Sequence, residues 1–278
     1  MTTADRARRG GHPRPPTRTL EVLRTADLTP SMRRITLGGD EIAGFRDEHT
    51  GPNIKVFVPQ RGQRRPVLPV FDHDAGRHVW PEAHERPTMR TYTVRRYDEA
   101  RGELDVDFVM HGEHGVASSW ARGAAPGDYL GVQGPGGRTP RAADWYLLIG
   151  DETALPAISA IIEGLPLTAS GEAFLEVSDS AEQQHIECPP NLNLNWLHRD
   201  GVPAGRSTKL GDAVRELDIP PQRDVSAWVS GESGVVRGIR RHLRRDRGLD
   251  AASVLAIGYW KAGMVETDYH DQYNHDRD

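Results

Sequence analysis

The sequence predicts a β + α/β chain, a six-stranded antiparallel β-barrel followed by a parallel-sheet α/β domain. Two observations carry this. Up to about residue 133, short runs rich in apolar and β-branched residues follow one another with turn signals between them and no strong intervening helix. Beyond residue 141, continuous apolar runs alternate with segments of helical spacing, the rhythm of βαβ units.

The barrel strands are expected at Thr19–Arg24, Met32–Leu37, Asn53–Val58, Thr91–Tyr97, Glu103–Met110 and Tyr129–Gln133. In Glu103–Met110 apolar residues take every second position almost to the end, as a strand with one buried face requires. Gly38-Gly39-Asp40 and Pro126-Gly127-Asp128 supply turns. Residues 60–87 are polar and without period, and a loop of that length is usually functional or disordered. In the second half Trp145–Ile149 is apolar without interruption, as in a strand buried on both faces. Leu155, Ile158, Ile161, Ile162 and Leu165 then recur at helical spacing over Thr153–Leu165. Further strands are expected at Ala173–Val177, Leu194–Leu197, Val225–Val229 and Val254–Ile257. A helix is expected over Val235–Arg247, with Val235, Val236, Ile239 and Leu243 inward and six arginines outward. The domain boundary falls around residues 138–143. Residues 1–16 are then a disordered basic arm, 17–140 the barrel, 141–264 the α/β domain and 265–278 a polar tail.

Composition narrows the function classes. A net charge of −5 argues against wholesale nucleic-acid binding, although residues 1–18 hold five arginines against one acid. No apolar run approaches the roughly 20 residues needed to cross a bilayer, so no membrane partner is expected. The N-terminus lacks the apolar core of a secretory signal. A single cysteine, Cys188, permits no internal disulfide, and a cytoplasmic protein is the simplest expectation.

Three segments have the residue types for chemistry. On a strand, Arg90, Tyr92 and Val94 share one face and Thr91, Thr93 and Arg95 the other. A tyrosine beside a guanidinium and hydroxyls suits a flat, phosphorylated ligand: the ring stacks, Arg90 pairs a phosphate, and Thr93 hydrogen-bonds a ring heteroatom. The same pattern also describes an edge strand with solvated arginines, which is the commoner arrangement. His111-Gly112-Glu113-His114-Gly115, before a helix at Val116-Ala117-Ser118, would let backbone N–H groups reach a pyrophosphate, or could be a plain strand-to-helix turn. Its two histidines lack a third ligand nearby, and no metal is expected. Gly150-Asp151-Glu152-Thr153 joins the first parallel strand to its helix, where α/β folds bind nucleotides, but without G-x-G-x-x-G spacing.

The ordered segments RTYTVR (90–95), HGEHGVASSWA (111–121), GDYLGVQGPGG (127–137), GDETALPAI (150–158), WVSGES (228–233) and GYWKAG (258–263) resemble the siderophore-interacting protein family, over about residues 17–264. These are flavin-dependent ferric-siderophore reductases with the architecture of ferredoxin–NADP reductases. The resemblance implies an FAD-binding barrel and an NAD(P)H-binding-like second domain. By that likeness Arg90, Tyr92, Thr93 and Val94 hold the flavin ring and phosphate. His111, Gly115, Ala117 and Ser118 continue the FAD site, and Asp151 and Thr153 close it from the second domain. The substrate is a ferric siderophore, attracted by Lys55, Lys261 and Arg95. Lys55 and Lys261 are two of the chain's three lysines. NADPH, NADH or reduced ferredoxin is implied as electron donor. Two other classes fit the same residues: a non-enzymatic ferric-siderophore carrier, and a ferredoxin-reductase-type flavin reductase with another acceptor.

Overall fold

A computed structural model describes residues 16–45, 51–72, 74–111, 115–264 and Tyr269. The expected arm (1–16, save Pro16) and the tail (265–278, save Tyr269) lie outside the described residues, as does His114. The N-terminal part contains β1 (Thr17–Thr29), β2 (Met32–Gly38), β3 (Asn53–Val58), β4 (Val70–Asp72), β5 (Arg77–Val79), β6 (Thr88–Thr93), β7 (Arg96–Asp98), β8 (Glu103–Val109), α1 (Val116–Gly123) and β9 (Tyr129–Gly136). The C-terminal part contains β10 (Trp145–Asp151), α2 (Leu155–Glu163), β11 (Ser170–Val177), β12 (Asn191–His198), α3 (Lys209–Glu216), β13 (Val225–Glu232), α4 (Ser233–Arg241) and β14 (Val254–Trp260).

The first sheet is antiparallel, in the order β6-β3-β9-β1-β2-β8-β7. Period-two alternation sends Leu20 and Val22, Ile35 and Leu37, Ile54 and Val56, Val106 and Phe108, and Leu130 and Val132 into one core. The sheet curls about this core, with β6 and β7 as its edge strands and no ladder joining them among the described residues. Tyr92 on β6 packs against Phe108 on β8 with ring centroids 4.4 Å apart, and the Arg95 N–H donates to the Asp105 carbonyl at 2.9 Å. Seven strands take part where the sequence suggested six. The expected strand Thr91–Tyr97 divides into β6 and β7, because Val94 pairs with Pro52 and Arg95 crosses to β8. The polar stretch 60–87 contains the small β4–β5 hairpin, too short for a period-two signal.

The second sheet is parallel, in the order β12-β11-β10-β13-β14. Strand β10 is apolar from Trp145 to Ile149 because both its faces are covered. Leu148 packs with Ile158 and Ile162 of α2, whereas Leu147 and Ile149 pack with Val236 and Ile239 of α4. The helix expected over Val235–Arg247 is α-helical to Arg241 and continues as a π-turn, His242–Asp246, with Leu243 fully buried. Helix α3 had no clear signature, since it inserts only Leu210 and Val214 into the core.

The two parts share apolar surface. Met32, 2% exposed, joins the core on the α2 side of the parallel sheet, with Leu28 and Val109 packed beside it. A bidentate ion pair reinforces the join: Arg95 donates to both carboxylate oxygens of Glu163 on α2 at 2.6 and 2.7 Å. The Arg95 side chain is 10% exposed, so removing its partner leaves a largely buried charge against Asp107 at 3.9 Å. Glu163→Gln is expected to destabilise the protein by about 1–3 kcal/mol, read as a lower urea midpoint at an unchanged slope.

Candidate functional site

Where the two domains meet, a cavity of about 150 Å³ is lined by Thr91, Tyr92 and Thr93 of β6, His111 beyond β8, Thr153 and Pro156 at the start of α2, and Ile257, Tyr259 and Trp260 of β14. The fold thus brings Tyr92, Thr93, His111 and Thr153 together across the domain boundary. Asn53 and Ile257 also line an adjoining groove of about 460 Å³, walled by Arg138, Arg141 and Arg244.

The barrel supplies the first wall. Antiparallel pairing sets Tyr92 opposite Ile54 and Arg90 opposite Val56, facing the barrel core, and sets Thr91 and Thr93 opposite Lys55 and Asn53 on the other face. Tyr92 is half-buried and braced by Phe108. Thr93 is 5% exposed, and Val94 is buried in the barrel core. Lys55 Nζ donates to Thr91 Oγ1 at 2.5 Å, so it reaches across the face that leads into the cavity.

Helix α1 supplies the second. Gly115 is its N-cap, with no side-chain hydrogen bond to the first turn, and Ala117 and Ser118 are buried just inside it. A Cβ at Gly115 would lie 2.9 Å from His111 Cε1, so any larger residue there would push the imidazole aside. An aromatic platform, buried hydroxyls and a glycine cradle at an uncapped helix start are what a flat ring with a diphosphate requires. These residues fit FAD.

The α/β domain closes the site through Asp151. Its Oδ1 accepts from Thr153 N (2.9 Å) and Thr153 Oγ1 (2.5 Å), and its Oδ2 accepts from Glu232 N (2.9 Å) and Trp260 Nε1 (2.8 Å). Gly231 makes this possible. Its φ is +139°, and a Cβ there would sit 2.6 Å from Asp151 Oδ2. Asp151 therefore does not face the cavity; it orients Thr153 and Trp260, which do. Burial, followed by repulsion from Glu152, pushes the Asp151 carboxyl up to about 6, against the opposing pull of its hydrogen bonds.

The expected substrate cations part company. Lys55 lies on the barrel wall, and half-buried Lys261 directly follows Trp260 at the opposite lip. Arg95 is held by Glu163 and lines a separate groove beside Phe45 and Tyr146, away from Tyr92. The sequence pattern did not single out Trp260 and Tyr259, although both lie in GYWKAG, nor Arg138, one residue past GDYLGVQGPGG. Arg138 is exposed and has no hydrogen-bond or ion-pair partner among the described residues. Among those residues no group of three or more His, Cys, Asp and Glu could hold a metal.

The raised Asp151 carboxyl makes stability depend on pH. Its folded value lies above its unfolded one, so its favourable contribution is complete below about pH 4 and is lost as pH rises through about 6. The loss approaches about 3 kcal/mol for a shift of roughly two units. Urea unfolding from pH 4 to pH 7 should show this decline, and Asp151→Asn should remove that part of the slope.

The chain matches known proteins over nearly its whole length. The profile of the siderophore-interacting FAD-binding domain covers residues 21–139, and that of the siderophore-interacting protein covers 143–263. Ferric vibriobactin reductase ViuB of Vibrio cholerae is 38% identical over 258 residues, 92% of this chain and 93% of that protein. The NADPH-dependent ferric-chelate reductase of Escherichia coli is 34% identical over 250 residues, 88% and 93% of the two chains. A siderophore utilization protein from T. fusca superposes with a TM-score of 0.82 at 39% identity, covering 92% of this chain and 96% of that one. Ferredoxin-NADP+ reductase from Plasmodium falciparum, at 11% identity and a TM-score of 0.61, shares the fold. No helix among the described residues is long and apolar enough to cross a membrane. The chain belongs to the siderophore-interacting protein family and is an FAD-dependent oxidoreductase.

Proposed function

We propose that this protein reduces ferric siderophores at FAD held between its two domains, releasing Fe(II) in the cytoplasm, with NADPH, NADH or reduced ferredoxin as electron donor. The observation that carries this reading is the convergence of Tyr92, Thr93 and His111 from the barrel with Thr153 and Trp260 from the parallel sheet on one cavity. FAD, when bound, supplies the conversion between two-electron and one-electron chemistry.

Each side chain then has a task. Tyr92, braced by Phe108, stacks on the ring system, and Thr93 hydrogen-bonds its polar edge. Val94 closes the barrel core behind them. Arg90 and the first backbone N–H groups of α1, past Gly115, Ala117 and Ser118, take the phosphates, with His111 beside them. Thr153 and Trp260, oriented by Asp151, form the opposite wall and exclude water. Lys55, Lys261 and Arg138 make a cationic rim that draws in an anionic chelate. In this reading Arg95 ties the domains together and leaves the substrate to the other three cations. No proton-transferring side chain is needed, because Fe(III) gains a single electron. Hard oxygen ligands hold the resulting Fe(II) far more weakly, and the metal leaves.

The test is anaerobic. Protein pre-reduced with dithionite and freed of excess reductant should reoxidise on adding ferric siderophore, with Fe(II) trapped by a chromogenic chelator. If Fe(II) does not form while the chelate still binds, the protein is a carrier. If it oxidises free quinones or flavins but no ferric chelate, it is a reductase of another kind. Tyr92→Ala should weaken FAD binding by about tenfold or more, measured by loss of the bound chromophore on dilution. Lys55→Ala and Arg138→Ala should each raise KM for anionic chelates several-fold at nearly unchanged kcat, and should flatten its dependence on salt.

A further inference from the structure

The carboxyl end of the parallel sheet is where an α/β domain normally seats the adenosine and pyrophosphate of a dinucleotide, at the point where strand order reverses. Here that point lies between β10 and β13. We propose that in this protein the crevice is closed by the chain's own segment 199–208, so that a dihydronicotinamide donor is recognised through its nicotinamide half alone. This rests on the ferric-reductase reading above and specifies how its donor is selected.

The helix starts flanking the crevice already have anionic partners. Beyond β10, Asp151 accepts the Thr153 N–H. Beyond β13, Glu232 Oε2 accepts the Val235 N–H at 3.0 Å, in the first turn of α4. A pyrophosphate arriving there would meet carboxylates in place of open N–H groups. Glu176, at the end of β11, and Glu152 bring the acids at this end to four. The cation facing them, Arg199, is engaged by them: it binds Glu152 at 2.6 Å through both terminal nitrogens and lies 3.8 Å from Glu176. Glu176 Oε2 is buried without a hydrogen bond, and as an acceptor it repels phosphate.

Space is short as well. Arg199 anchors a segment that folds back over the crevice. At Gly205 a Cβ would lie 2.8 Å from Glu232 Cγ and 3.1 Å from Trp260 Cη2, so its backbone rests directly on both side chains. Lys209 Nζ, just past the segment, donates to Asp200 Oδ2 at 2.9 Å, which ties its far end back to its start. The cavity left among Asp151, Glu176, Gly205, Ser230 and Glu232 is about 10 Å³, barely room for one water. The nicotinamide end, by contrast, needs only the Tyr92–Trp260 cleft. In the net reaction the donor gives up a hydride, two Fe(III) centres gain one electron each, and the remaining proton goes to solvent.

The test compares NADPH, NADH and reduced nicotinamide mononucleotide, which lacks the adenosine half, as anaerobic reductants of the FAD-loaded protein. In parallel, ADP-ribose and 2′-phospho-ADP-ribose are titrated calorimetrically. Bleaching rates within about threefold of one another and no binding of either adenosine ligand at about 1 mM are expected. A rate advantage of about 30-fold or more for NADPH or NADH over the mononucleotide, or binding of either adenosine ligand well below that concentration, overturns the proposal. The calorimetry needs no iron chemistry. Failure of pre-reduced protein to yield Fe(II) would sink the ferric-reductase reading and leave the titration as an independent test of the crevice.

Discussion

One buried carboxylate organises the site. Asp151 ends the central strand β10 and accepts four hydrogen bonds, two from Thr153, one from the end of β13 and one from the end of β14. Strand β14 is not a neighbour of β10 in the sheet, so the Trp260 bond reaches past β13. This places a threonine and an indole from separate strands on one wall. Burying an anion is unfavourable, which is why its carboxyl is pushed up. The arrangement persists because every nearby donor converges on it and Gly231 leaves room.

Charge is partitioned around that centre. On the barrel exterior, buried Asp105 and Asp107 are neutralised by Arg96 and Arg34. At the join between domains, Arg95 meets Glu163. At the carboxyl end of the parallel sheet, acids outnumber Arg199. Arg138, with no such partner among the described residues, lines the groove that adjoins the domain cleft. The groove beside the cleft thus carries an exposed cation, whereas the buried carboxylates at the sheet's end would repel an anion.

Part of this was legible in the chain. Period-two alternation and the unbroken apolar run at Trp145–Ile149 are direct consequences of one-sided and two-sided burial, and both sheets followed from them. The tyrosine, threonine and glycine of the barrel wall stood in recognisable order, as did Asp151 and Thr153. Helix α3 and the β4–β5 hairpin escaped notice, because two inward residues or three-residue strands leave no period to detect.

The sequence by itself determined which residues alternate, which runs are buried on both faces and which motifs follow one another, since these are local properties of the backbone. Only the tertiary structure decided that Arg95 turns to Glu163 and not to the cleft, that Trp260 crosses to Asp151, and that segment 199–208 lies over the sheet's end. Those outcomes depend on partners 68, 109 and 47 positions away. A side chain's charge is written in the chain, whereas its partner is chosen by the packing of elements that meet only once the two domains have folded together.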